Sequence, residues 1–367
     1  MWLHFALFAC LLLAAGLSLG TQTDGVDKGT LSLLVATGAF IAMSSMRAVT
    51  VGSDTPEYRR VFVSIAGADS LSEAYSVSRF EHGYVLLNYM ISRATDDFNV
   101  FLLALSVLSF GSIAVFIHRY AYSNSVAVLL AFGMSIYYDV MLALRQGLAV
   151  ALFLFSFPAL LDRRPVRYVL LILLATQFHS SALILLPVYF ITSINAHTFA
   201  GWLKAGAVVL FAAVTLGVVL TRVSYVLTYY GHYLSSAYAE GGIRSATVLG
   251  ICVRIVVAVI AAGCGWTAAV ADDASGRMRV LLAFVLLDIG VMTVSLGFNM
   301  LDRIEMYLTL PFVVGVANVM SRGDTPRRIG AEVLTVPLCF VHKTVSLALR
   351  PEWFHLFPYV SFLQERR

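Results

Sequence analysis

Residues 135–161 read SIYYDVMLALRQGLAVALFLFSFPALL. The run is apolar over most of its length, yet Arg145 and Gln146 lie inside it. A charge in hydrocarbon is costly, so such a residue usually faces the protein interior or an aqueous cavity and serves function. The rest of the chain agrees with a membrane setting. It has 367 residues, 59% of them hydrophobic and only 13% charged, with a mean hydropathy of +0.84. A soluble domain carries about a quarter charged residues. The expected class is therefore all-α, a polytopic integral membrane protein. The net charge of +4 is small and dispersed, which gives no basis for nucleic-acid binding. Cys10, Cys252, Cys264 and Cys339 lie in apolar runs without a C-x-x-C pair, which argues against a zinc site or a disulfide framework.

A helical span needs about 20 mostly apolar residues. Residues 2–20, 30–46, 99–117, 125–138, 141–160, 202–221, 246–270, 280–297, 304–320 and 331–349 qualify. The expectation is about 10–12 transmembrane helices in a single integral domain, 1–367. The start, MWLHFALFACLLLAAGLSLG, lacks a basic leader and reads as a first span. Between 47 and 98 an outer loop contains EHGYVLLNYMISRA, read as an interfacial helix. Residues 222–245 form a Tyr-rich outer loop, suited to sugar faces or to the membrane interface. The compact basic segments DRRPVR, SGRMR and SRGDTPRR, with Arg119, read as cytoplasmic. All of them share that side only if 167–192 turns back as a re-entrant hairpin, with its turn near Gln177–Ser180. A single tilted helix is the alternative. At 1.5 Å per residue the segment is too short to cross twice.

Polar residues at span mouths supply the candidate site. In RAVTVGSDTPEYRRVF, Asp54 and Thr55 are placed to cap a helix carrying Tyr58 and Phe62 on one face, while Arg47 snorkels or binds an anion. Glu81 opens the interfacial segment, as a base, an arginine partner or a helix-start carboxylate. Arg145 with Gln146 begins a long apolar helix. A guanidinium grips phosphate oxygens in two-point fashion and keeps its charge; pairing with Asp139 is the structural alternative. His179 suits proton transfer near neutral pH or a satisfied place in the core. In FNMLDRIEMYLTLP, Arg303 is a second phosphate ligand or a partner of Asp302 or Glu305, with Tyr307 one turn below. Arg254 and Asp288 fall at similar depth and read as a structural ion pair. HLFPY, with Pro358 and Tyr359, reads as an interfacial anchor. No D-x-D pair accompanies these residues, so neither a metal nor another cofactor is expected.

Taken in order, RAVTVGSDTPEY, FEHGY, LRQGLAVAL, FHSSAL, DRIEMY and the late PY resemble the EpsG/Wzy-like family of exopolysaccharide and O-antigen polymerases. The resemblance runs over about residues 45–360. It implies a fold related to C-type membrane glycosyltransferases. It also implies a multi-pass protein of the bacterial inner membrane with its site on the periplasmic or outer face. The implied activity is glycan transfer from undecaprenyl diphosphate to a lipid-linked repeat unit, with partners that set chain length. It marks Arg47, Asp54, Tyr58, Glu81, Arg145, Gln146, His179 and Arg303 as the polar positions of the site and favours the hairpin. The resulting expectation is that Arg145 and Arg303 hold the donor diphosphate, Arg47 assists, and His179, then Glu81, then Asp54 take the acceptor proton. A lipid-linked oligosaccharide flippase and a glycan ligase are the alternatives.

Overall fold

A computed structural model describes residues 1–20, 29–193, 245–271, 276–296, 302–349 and 351–365, together with the isolated positions 200 and 207. Among these the chain is helical without strands, and its one bridge joins Arg47 to Ser361. Six helices are long and apolar enough to cross a membrane, or seven counting a bent pair. This is an all-α polytopic membrane protein. Two further expected spans are shorter helices, α1 (Trp2–Gly20, apolar over Trp2–Ser18) and α2 (Thr30–Ser45). The expected span 202–221 and nearly all of the Tyr-rich loop at 222–245 lie outside the described residues.

The contacts form two compact units. The first holds Met1–Ser156, Val169–Leu183 and Lys343–Arg367; the second holds Phe157–Tyr168 and Ile184–His342.

In the first unit, three short helices replace the single interfacial helix expected between 47 and 98. They are α3 (Thr55–Ala66), α4 (Leu71–Ser76) and α5 (His82–Ser92). On α3 the apolar residues recur at helical spacing, so Tyr58, Val61, Phe62 and Ile65 are buried together. They pack with Tyr84 of α5 and with Phe98, Phe101, Leu102 and Leu105 of α6 (Phe98–Tyr120). Phe62 is fully buried, and trimming such a side chain to alanine costs about 3–5 kcal/mol. Ser70 caps α4, accepting from the Glu73 N–H at 3.2 Å. Asp97 caps α6, accepting from the Asn99 N–H at 2.7 Å. Asp54 holds the cap position of α3 but makes no capping bond through its side chain, contrary to the expectation.

The opening stretch, continuous in sequence, is broken in space. Helix α7 (Asn124–Gly133) meets α8 (Ile136–Leu142) at a 60° bend. At the bend Ser135 has a positive φ of 78°, which an L-residue adopts rarely. Its hydroxyl donates to Asp139 at 2.7 Å and accepts from Lys343 at 2.5 Å. Ala143 leaves helical geometry, and α9 (Leu144–Leu161) starts afresh. Arg145 therefore sits in the first turn of a helix rather than inside a continuous span.

The loop 46–52 is held by a segment from far along the chain. Ala48 N–H donates to Val360, Phe362 N–H to Met46 and Gly52 N–H to His355, each at 2.9 Å. The Tyr359 hydroxyl donates to the Met43 carbonyl at 2.8 Å. HLFPY is thus a clasp on the Arg47 loop, which reading it as a membrane anchor missed. Gly52 has φ +94°, and a Cβ there would meet Thr55 and Leu142 at 2.7 and 2.9 Å.

The stretch after α9 turns back on itself. Helix α10 (Pro165–Thr176) ends at Gln177–His179, and a 3-10 segment follows over Ser180–Ser193. Within the second unit the Tyr168 hydroxyl donates to the Leu185 carbonyl at 2.6 Å. Arg163 donates to the Thr192 carbonyl at 3.5 Å. The two ends of the stretch are therefore neighbours, as a hairpin requires. Helices α11 (Ser245–Ala271), α12 (Arg277–Ser295), α13 (Asp302–Met320) and α14 (Thr325–Leu349) complete this unit as far as His342. The Cys264 thiol, late in α11, donates to the Met320 carbonyl at the end of α13. Gly265 of α11 approaches Val319 and Gly323, and Gly315 of α13 approaches Leu281 of α12, so the start of α12 lies beside the end of α13. Phe157, one turn before the end of α9, packs on Phe284, two turns into α12. DRRPVR, the described residues 276–279 of SGRMR, and SRGDTPRR consequently gather at one end of the second unit.

Candidate functional site

The site is built where the start of α9, the start of α5 and the hairpin turn converge in the first unit. Arg145 Nη1 donates to Glu81 Oε2 at 2.5 Å, and the two side chains are 21% and 18% exposed. The other carboxylate oxygen accepts from the Ser180 N–H at 3.0 Å. Glu81 holds the cap position of α5 without capping it; its oxygens are turned outward to the arginine and the hairpin. Asp139, the other candidate partner for Arg145, takes the Ser135 hydroxyl instead.

Gly83 sets how closely the hairpin approaches. A Cβ at this position would lie 2.8 Å from both Gln177 Cβ and the Gln177 carbonyl oxygen. Because glycine has none, the Tyr84 N–H reaches the Gln177 carbonyl at 3.1 Å. His179 follows in the same turn, buried, with Nδ1 2.6 Å from Ser181 Oγ and 3.4 Å from the Ser181 N–H.

Arg145 lies over the Phe80 ring, 4.0 Å from its centroid, a cation–π geometry worth about 0.5–2 kcal/mol. Its Nε is buried and has no partner among the described residues. Gln146, beside it, is buried. The first turn of a helix leaves N–H groups without intrahelical partners and carries the positive end of the dipole. Both features add to the guanidinium in favouring an anion.

Charge in this cluster is tightly balanced. Burial by itself raises the Glu81 carboxyl, but the Arg145 guanidinium and the N–H groups of Glu81 and Ser180 outweigh it, leaving the group below its ordinary value. The Tyr58 phenol is pushed up to about 12, chiefly by burial and then by the Asp54 charge, against the pull of Arg145 and Arg47. Asp54 itself is exposed. Tyr84 is raised by burial.

Arg47 is 1% exposed. Burial pushes its guanidinium down to about 10, against the influence of Tyr58, Tyr359 and Tyr84. Nη1 donates to Ser44 Oγ at 3.4 Å and to the Met141 carbonyl in the last turn of α8. A cation there is favoured by the negative end of the helix dipole. Nε and Nη2 have no partner among the described residues.

Arg303 and Tyr307 belong to α13 of the second unit. Arg303 is exposed and Tyr307 fully buried. Glu305, offered by the sequence as an Arg303 partner, engages Arg254 Nη2 instead. The expected Arg254–Asp288 pair is present at 2.7 Å, both groups buried. Glu305 converts it into a three-helix triad, which equal depth in two spans did not reveal.

Sequence reasoning passed over Phe80, though it directly precedes Glu81 in RFEHGY; an aromatic beside a paired acid was the available signal. It also passed over Asn99, whose side-chain amide donates to the Ser45 and Arg47 carbonyls at 2.7 and 3.2 Å and steadies the Arg47 loop. Among the described residues, no group of three or more His, Cys, Asp and Glu is placed to hold a metal ion.

No curated protein and no solved structure matches this chain. The model of the EpsG family matches it from residue 30 to residue 361, a stretch that includes every candidate residue above. With that span covered, the chain belongs to the EpsG family, and its role is of the polysaccharide-polymerase type.

Proposed function

We propose that the protein transfers a growing glycan from undecaprenyl diphosphate to a lipid-linked repeat unit, on the outer face of the bacterial inner membrane. The acceptor hydroxyl attacks the anomeric carbon of the donor, and the carbon–oxygen bond to the diphosphate breaks. Undecaprenyl diphosphate leaves with the electron pair, and the hydroxyl proton passes to a base. The observation that supports this reading best is the setting of Arg145. It is half-buried at a helix start, fixed by Glu81 and the Phe80 ring, and its charge is permanent. Such a preorganised cation stabilises charge on a leaving phosphate.

The geometry supports the following residue roles. Glu81 is committed to Arg145 and to the Ser180 N–H, and it holds its proton weakly, so it orients the arginine. The Ser181 N–H facing Nδ1 makes that nitrogen of His179 the acceptor. The neutral ring then carries its proton on Nε2. Asp54 is exposed, unused as a cap and electrostatically coupled to Tyr58, and we assign it the acceptor proton. Outward placement is supported by the three basic segments collecting at one end of the second unit, since such segments favour the cytoplasm.

The test is polymer laddering in cells carrying Arg145→Ala, Asp54→Asn or His179→Ala at matched protein levels. It is joined to an assay of purified protein on defined undecaprenyl-diphosphate oligosaccharide, with and without chelator. Wild-type chain lengths from Arg145→Ala would overturn the proposal. A carrier of lipid-linked sugars is a second reading, favoured by the 60° break between α7 and α8, since broken spans line carrier sites. Single repeats accumulating on the inner leaflet of a deletion strain would select the carrier, and on the outer leaflet the polymerase.

A further inference from the structure

In the first unit α3 and the segment 76–79 border an open cavity of about 630 Å³, lined in part by Glu57, Arg60, Ser76, Val77, Ser78 and Arg79. This is the size range of small-molecule sites. The lining combines guanidinium groups, hydroxyls and the side chains of Val61 and Val77, a mixture that suits the polar edge and C–H face of a sugar ring.

Charge decides which sugar. Glu57 receives Arg60 in a two-point pair at 2.6 and 2.8 Å, so these two cancel. Glu81 and Arg145 cancel in the same way just beyond the cavity. Arg79 forms no ion pair among the described residues and is exposed. The lining therefore carries one positive charge without a counterpart.

The chain that lines the cavity also leads to the Arg145 site. Ser78 Oγ accepts from the Phe80 N–H at 3.2 Å. Phe80 carries Arg145 on its ring, and Glu81 is next in the chain. The Glu57 carboxyl is held below its ordinary value by Arg60 first, with Arg79 and Arg145 adding to the pull. One stretch of chain, 76–81, thus lines the cavity at its start and reaches the half-buried arginine at its end.

The geometry points to this cavity as a saccharide subsite that selects a glycan bearing an anionic group, a carboxylate on the sugar, with Arg79 as its reader. Resting on the polymerase reading, it supplies the substrate class: acidic repeat units whose diphosphate lies at Arg145 and whose nearest sugars run along Ser78 and Arg79.

The test uses the detergent-solubilised full chain and calorimetric titration with a linear trigalacturonate or its uncharged trigalactose counterpart. Trigalacturonate is expected to bind wild type more tightly than trigalactose. Arg79→Ala should weaken trigalacturonate about tenfold, the scale of one charge-assisted hydrogen bond in a half-open site, and leave trigalactose unchanged. Val77→Trp, at an exposed position on the cavity wall, should block both. Trigalacturonate binding equally to wild type and both variants would overturn the subsite. So would full displacement by inorganic pyrophosphate, which would make the attraction one for any anion. A chain that binds trigalacturonate through Arg79 yet ladders normally as Arg145→Ala keeps the subsite and loses the polymerase mechanism, so the two failures are separable.

Discussion

Gly83→Ala carries the sharpest test of how the site is assembled. The added Cβ would come within 2.8 Å of Gln177 Cβ and of the Gln177 carbonyl oxygen, and 3.2 Å of its carbonyl carbon. Two of these are backbone atoms of a turn, so no side-chain rotation relieves the clash. Overpacking of this kind costs about 1–3 kcal/mol. Moving the turn aside also breaks the Tyr84 N–H to Gln177 bond at 3.1 Å and the Ser180 N–H to Glu81 bond at 3.0 Å, each worth about 0.5–1.5 kcal/mol. The sum, about 2–6 kcal/mol, falls on one local docking event and leaves the six spans alone. The hairpin turn should therefore leave α5, and polymerisation should be lost at normal membrane abundance. The readouts are polymer laddering and limited proteolysis around residues 176–180, with Gly111→Ala as control. Gly111 lies inside α6 with nothing within 4 Å of an added Cβ, and there alanine is the better helix former by about 1 kcal/mol. If Gly83→Ala ladders like wild type with an unchanged proteolysis pattern, the turn does not depend on this contact and the argument for the site fails.

Four other outcomes are expected. Arg145→Lys keeps the charge but loses the two-pronged geometry and part of the Phe80 stacking, so laddering should fall between wild type and Arg145→Ala at matched abundance. Glu81 has a depressed carboxyl, so its stabilisation is complete above the ordinary value of 4.5 and is lost as pH falls through the lower folded value. Thermal melts should show wild type losing stability in acid below about pH 4.5, with a shallower loss in Glu81→Gln; parallel curves would refute it. Arg254→Ala strands Asp288 and Glu305 without their cation and should cost about 3–5 kcal/mol, whereas Asp288→Asn should cost far less; equal losses of folded protein would refute the triad. Phe80→Leu removes a cation–π contact worth about 0.5–2 kcal/mol and should reduce purified activity about two- to thirtyfold, with expression unchanged.

The membrane class was legible because hydrocarbon imposes one composition on every span. The polar positions were legible because a charge in an apolar run needs a reason. What the sequence concealed were relations between distant segments. Nothing near Arg145 announces Glu81 as its partner, because the pairing depends on α5 starting beside α9. The break at Ser135 was not legible because the bend is held by Lys343, which is 208 positions away. Asp54 looked like a cap by residue type, yet its carboxylate is left uncapping. The hairpin was foreseen as one of two options from length and charge parity, and the Tyr168–Leu185 bond shows the return.

The clasp of 355–362 on the Arg47 loop also sets an order of events during synthesis. Tyr359 and Met43 are joined across 316 positions. At about 5–20 residues per second, the ribosome needs roughly 15 to 60 s to supply the second partner after the first has entered the bilayer. For that interval the Arg47 loop lacks the segment that clasps it. The Arg47 loop therefore reaches its final form only after the last residues of the chain have been made, however early its own residues entered the membrane.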